Sequence, residues 1–344
     1  MTKRFPTVAV GPLAMLLAIT AATIAHAATD TSASAVPTLT PIPPTPALIA
    51  PLDERTLATV IVDNPDTMVA AHGSLWVKTD DGRVVRVDPE TNTVVADVKV
   101  DTTSDPYHYC QGLGTDGTAI WACSASGVED ERTIDVVRFD PATDSVVQTV
   151  EVGMIFDQFE MPFVAGRIWV LTGTGDTLVG IDAATGDPTS SIELDARCTQ
   201  LAEMAGSLMA ACPSDDAILV IDPREGSVTQ RVTLESPRFI DGAANGLWVV
   251  QERSIVRLDP GTMDPVAEYG PFPGVFDLDA SSDAVWVRHG IGFLFRIDPA
   301  TGTVIEQIES SESLSPGSVL VFEDSVWATA NDEGQLFRVR PGQP

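Results

Sequence analysis

An apolar triplet centred on tryptophan, a tight Asp-Pro turn between alternating strands, and the recurrence of both along the chain predict an all-β fold. The architecture they specify is a seven-bladed β-propeller of four-stranded antiparallel blades, its last blade closed by the N-terminal strand. The triplet stands as "LWV" at 75, "IWA" at 120, "IWV" at 168, "LMA" at 208, "LWV" at 247, "VWV" at 285 and "VWA" at 326. Its central residues are Trp76, Trp121, Trp169, Met209, Trp248, Trp286 and Trp327, so all six tryptophans share one repeat position and a Met fills the seventh. Successive anchors lie 38 to 48 residues apart, the length of one four-stranded blade.

The second half of the unit recurs as "VVRVDPETNTVV", "VVRFDPATDSVV", "LVGIDAATGDPT", "LVIDPREGSVT", "IVRLDPGTMDPV", "LFRIDPATGTVI" and a truncated "LFRVRPGQP". Period-two alternation gives a strand, the turn follows, and a second alternating strand leaves it. Proline presets the first turn torsion, and aspartate accepts backbone hydrogen bonds across the turn. Asp88, Asp140, Asp182, Asp222, Asp259 and Asp298 are therefore turn builders, because no catalytic group is needed once per blade.

The last copy stops after its third strand. "RTLATVIVDNP" (55 to 65) has the fourth-strand pattern and precedes the first anchor, so it completes the seventh blade beside "GQLFRVR". An open β-solenoid is the rival architecture, but it needs polar capping repeats, whereas a split fourth strand is the mark of a circle. Ring closure removes the free sheet edges that invite self-association, which predicts a monomer.

Ahead of the repeat, Lys3 and Arg4 precede the apolar run "VAVGPLAMLLAITAATIA", and Ala25-His26-Ala27 is a small-x-small cleavage site. Residues 1–27 are read as a signal peptide, residues 28–52, rich in Ala, Thr and Pro, as a spacer, and residues 53–344 as the propeller. The expected location is secreted, extracellular or in the cell envelope, with no membrane span after cleavage. The whole chain carries a net charge of -29, two units more negative without Lys3 and Arg4. Such a surface repels nucleic acid and anionic headgroups and favours cationic partners.

Cysteine positions carry a further expectation. Cys110 precedes Trp121 by eleven residues and Cys198 precedes Met209 by eleven, while Cys123 and Cys212 follow those anchors by two and three. The matched offsets favour the disulfides 110–123 and 198–212, each stapling neighbouring strands. No His or Cys cluster follows either pair to make a zinc site.

With "LWV" followed by "VxRIDPxTGxV" running through residues 55 to 344, the chain resembles the YVTN or YncE-like seven-bladed propellers and is similar to streptogramin (virginiamycin B) lyase-like propellers. The lyase resemblance implies metal-assisted elimination on a cyclic depsipeptide, carried by His and Glu on neighbouring central loops. After the first 27 residues the only histidines are His72, His108 and His289, and no paired His stands near a Glu. His72, in "AAHGSLWV", falls in a tight turn.

In a propeller, the segments leading into the first strands and the loops between second and third strands form one face, and its central mouth is where ligands sit. The lead-in segments are "NPDT", "PYHYC", "FDQFEM", "RCTQ", "PRFI", "PGVF" and "SPGS", and the loops include "KTDD", "RHG" and "NDEG". Tyr107, His108 and Tyr109 offer stacking surfaces and a titratable ring. Arg197, Arg238, Arg253 and Arg288, beside Glu160 and Glu252, offer planar donor forks for a carboxylate. "KTDDGR", "PSDDA" and "ANDEG" supply oxygens of the kind calcium prefers, without the spacing of a calcium loop.

Two functions follow as expectations. One is a binding or scaffold propeller holding an extracellular peptide, glycan or protein at one face of the ring. The other is a metal-assisted lyase or hydrolase using His108 or His289 with Glu160, Glu252 or Asp157. Nucleotide-binding and serine-nucleophile motifs are absent; "GTGD" at 173 to 176 lies between strands and reads as a hairpin turn. No cofactor-binding set is recognised, and calcium is the one ion for which ligands are offered.

Overall fold

Each blade begins at the channel and ends at the rim. A computed structural model describes residues 40–41, 48–101, 110–126, 133–153, 158 and 160–342. Seven sheets form the ring, and in the first blade the strands Pro65–Ala71, Ser74–Thr79, Arg83–Asp88 and Thr93–Lys99 pair in sequence order, every neighbour antiparallel. Second strands are buried on both faces because neighbouring blades cover them: all six residues of "SLWVKT" and of "SVWATA" are buried. The outer strand Thr93–Lys99 is mostly exposed. The burial gradient explains why the Trp triplets read as continuous apolar runs and the outer strands do not.

The anchors and turns are one device. Arg86, Arg138, Arg257, Arg296 and Arg338 lie directly across the ladder from Trp76, Trp121, Trp248, Trp286 and Trp327 and place their guanidinium carbons 5.3 to 5.8 Å from the ring centres. Where the third strand has no Arg, Gly180 faces Trp169 and Val220 faces Met209. Several of these arginines reach the Asp-Pro turn of the following blade: Arg86 donates to the Pro141 carbonyl at 3.1 Å and Arg257 to that of Pro299 at 2.8 Å. Arg338 donates to the Pro89 carbonyl, carrying the same contact from the seventh blade to the first. The turn aspartates accept backbone N–H groups, as Asp88 does from Glu90 and Thr91 and Asp259 from Gly261 and Thr262.

Closure follows the expected route. Thr56–Ile61 pairs antiparallel with Gln335–Val339 as the outer strand of the seventh blade. The stretch read as a spacer also contributes to sheets. Thr40–Pro41 pairs in parallel with the outer strand of the fifth blade, and Leu48–Pro51 with that of the sixth. Ala50 and Leu52 are buried there. Arg55 pairs with Glu306 at 3.3 Å, and both carboxylate oxygens of Glu306 accept the Gly342 N–H, fastening the segment before the closing strand and the last described residue to one outer strand.

Cys110 is bonded to Cys123 and Cys198 to Cys212, across sequence separations of 13 and 14. Both bridges tie a lead-in segment to the second strand of the same blade. The described residues fall within a unit spanning Val36–Pro344, and none of their helices is long and apolar enough to cross a membrane.

Candidate ligand site in the central channel

The first strand of a blade has a free inner edge, whose N–H groups need acceptors. Carboxylates supply several of them. Asp241, on the first strand of blade 5 (Ile240–Ala243), accepts the Ala280 N–H of blade 6 at 2.7 Å. Asp277 and Asp279, on the first strand of blade 6 (Val275–Ala280), accept the N–H groups of Val319 and Val321 in blade 7 at 2.9 and 2.6 Å. Neighbouring first strands approach so closely that a Cβ on Gly114 would stand 2.1 Å from the Met161 carbonyl oxygen, and one on Gly242 would stand 2.0 Å from that of Glu203.

These acids face an inner cavity of about 340 Å³, which Glu160, Thr67 and Gln200 also line. Glu160 is exposed to the channel space yet walled by protein around it. That confinement, and then the charges of Asp241, Asp277 and Asp279, hold its carboxyl well above the usual range. Burial is likewise the leading cause for the others, which rise to about 7 at Asp241, about 8 at Asp277 and about 6 at Asp279. No cation compensates them inside the cavity among the described residues lining it.

The cavity continues to a mouth of about 350 Å³ on the loop face, sharing Phe239, Asp277 and Ser318 with it. Asp66, Asp80, Asp332 and Phe276 are among the other residues that line it. Gln111 and Asn331 donate to Asp80 at 3.0 and 2.9 Å, which fixes that carboxylate in place. Phe276 packs over the turn at Gly290, where an added Cβ would come within 3.0 Å of the ring. Beside it, Ile291 at the tip of the blade 6 loop is 74% exposed. Aromatic faces combined with carboxylates attract a cation by both the ring quadrupole and charge.

The lead-in segments and loops that the repeat assigns to one face do converge: the mouth draws residues from "NPDT", "KTDD", "PRFI", "PGVF", "SPGS" and "NDEG". The individual candidates are distributed differently. Glu160 lies in the inner cavity. Arg288 is wholly buried, its guanidinium donating to the carbonyls of Thr329, His289, Phe293 and Ser315 and stacked 4.2 Å from the Phe293 ring centre. It ties blade 6 to blade 7 and has no face left for a ligand. His289 is buried, its Nδ1 accepts the Ile291 N–H at 2.9 Å, and burial lowers its pKa, which keeps the ring neutral. Arg197 and Arg238 are exposed and line neither central cavity. Glu252 and Arg253 meet in a separate recess of about 260 Å³ on blade 5, with Glu235 and Glu268. Tyr107, His108, Tyr109 and Asp157 lie outside the described residues.

Among the described residues, no three His, Cys, Asp or Glu side chains converge closely enough to hold a metal ion. The acidic loops offered for calcium are engaged locally. Thr79 donates to Asp81, the Arg197 and Ser236 N–H groups to Asp215 and Asp216, and Ser315 to Glu333. Asp241, Asp277 and Asp279 escape a search for Arg and His clusters. For Asp277 and Asp279 the signal is the spacing in "FDLDA", where acids alternate along a strand that otherwise faces packed neighbours.

Fold and site together define a seven-bladed propeller whose central channel is acidic from mouth to interior. Residues 132–342 match the family model described as outer membrane protein assembly factor BamB, and the chain belongs to that family. No curated protein matches it. Among solved structures, the β-propeller domain of Cps50 (Swd1) from Myceliophteria thermophila aligns with a TM-score of 0.66 and 12% identity, over 83% of this chain and 99% of that one. That likeness is one of fold.

Proposed function

We propose that this chain is an exported binding propeller that grips a positively charged segment of a peptide or protein at the mouth of its channel. The observation that carries the reading is the mouth itself, where Asp66, Asp80, Asp277 and Asp332 stand around Phe239 and Phe276. A Lys or Arg side chain presents the complementary charge and stacks on the rings, while Ile291 gives a neighbouring apolar residue something to rest against. The net charge of -29 steers such a segment toward the protein.

Export of this module, with residues 1–27 removed and the propeller working in the envelope or outside the cell, is supported by the basic and apolar N-terminal pattern and by two buried disulfides. Within the stretch from 28 to 52, the residues that pair with blades 5 and 6 act as a strap around the ring.

Fluorescence anisotropy with equal-length peptides carrying Lys and Arg, neutral residues or Glu tests the reading. The basic peptide binds, binding weakens with salt, and the double change Phe276→Ala with Asp332→Asn weakens it at least tenfold. Equal binding of the acidic peptide, or no effect of the double change, overturns it.

A further inference from the structure

Behind the mouth, the inner cavity has a chemistry of its own. Glu160 leads into blade 3, whereas Asp277 and Asp279 belong to blade 6, three positions away and as far apart as a ring of seven allows. Asp241, Asp277 and Asp279 each accept a backbone N–H from the next blade. The Glu160 side chain accepts no hydrogen bond from any described residue, and its electrostatic neighbours are all carboxylates. An independent sign of a missing ligand lines the same cavity from blade 1: Thr67 is only 3% exposed, and its Oγ1 has no hydrogen-bond partner among the described residues. A buried hydroxyl left unpaired destabilises the fold, so a donor or acceptor supplied from outside would find it ready.

The distribution of charge selects the ligand. A compact metal ion needs several oxygens at one point, and no three carboxylates among the described residues converge so. Acids on blades 3, 5 and 6 around one cavity, whose lining also includes the apolar residues Met68, Ile240 and Leu278, suit a molecule with charge at both ends and hydrocarbon between. We propose that the inner cavity binds a small linear diammonium compound, one end held by Glu160 with the Thr67 hydroxyl beside the site and the other by the blade 6 carboxylates. The assignment rests on the reading of the channel as a ligand site, and it names a class of ligand that the peptide-binding mouth does not require.

Isothermal titration of the full mature chain with 1,4-diaminobutane tests it, with n-butylamine as the single-charge control. One diamine binds per chain, at least tenfold more tightly than the monoamine. Glu160→Gln weakens the diamine at least tenfold, and Thr67→Val, which keeps the side-chain shape, weakens it several-fold with the melting temperature kept or raised. Absence of diamine binding, equal affinity for the monoamine, or unchanged affinity in both variants overturns the inference. If the basic peptide still binds in those cases, the mouth stands without the diammonium site; if diamine binds and the peptide does not, the inner site stands and the peptide reading falls.

Discussion

Replacing Asp277 with Asn separates the structural use of its carboxyl from its charge. Asn keeps an oxygen to accept the Val319 N–H, now 2.9 Å from Asp277, and removes the ionisation that the cavity opposes. Burial and the neighbouring charges of Asp241 and Asp279 lift the group from 3.8 to about 8, against backbone hydrogen bonds from Val319 and Leu278 that lower it. A lift of that size has a ceiling of ~6 kcal/mol. Asp277 is partly open to the channel, and a protonating neighbour relieves it, so about 1–3 kcal/mol is the working expectation.

Asp279, Asp241 and Asp277 are all held above their unfolded value of 3.8, at about 6, 7 and 8, so they favour the fold while protonated. That contribution is whole below about pH 4, falls progressively as pH rises above it, and is gone above about pH 8, the highest of the folded values. Asp277→Asn therefore raises the melting temperature by about 3–8 °C at pH 9 and changes it little at pH 4. Glu160 and Glu203 also face this group of acids, and Arg288 acts on Asp277 with the opposite sign, so the measurement is made across the whole range. Thermal melts of both proteins between those limits decide it. An equal loss of stability at both ends would refute the reasoning, because it would mean that the ionised carboxylate holds the blades together.

Other expectations concern the scaffold. Removing the Cys198–Cys212 bridge by a double change to Ala costs about 3 kcal/mol, read from urea unfolding with and without reductant. Lys78 and Asp101 form a fully buried pair at 3.6 Å; Asp101→Asn costs about 3–5 kcal/mol by the same assay, and adding Lys78→Met recovers part of the loss. Arg288→Leu leaves the carbonyls of Thr329, His289, Phe293 and Ser315 without their donor and costs ~3 kcal/mol or more, whereas Arg253→Ala on the exposed rim stays within about 0.5 kcal/mol.

The blades were legible because their signal is local and repeated. Trp76 and Arg86 sit in one sequence unit, and the same two residue types meet again in four further blades. The loop face followed from the repeat frame as well, down to the segments that supply Asp66, Phe239 and Asp332 to the mouth. The site's chemistry was not legible in the same way. Arg288 and Arg253 look alike in sequence, and only tertiary packing buries the first against Phe293 while leaving the second exposed. Glu160, Asp241 and Asp277 lie on different blades, so their mutual repulsion comes into being only when the ring closes.

The most direct test is a crystal structure of the full chain grown with a short Lys-containing peptide. The ammonium group is expected in the mouth, between the Phe239 and Phe276 rings and within hydrogen-bond distance of an Asp66, Asp277 or Asp332 carboxylate. Peptide bound instead at the Glu252 and Arg253 recess, with the channel mouth unoccupied, would contradict it.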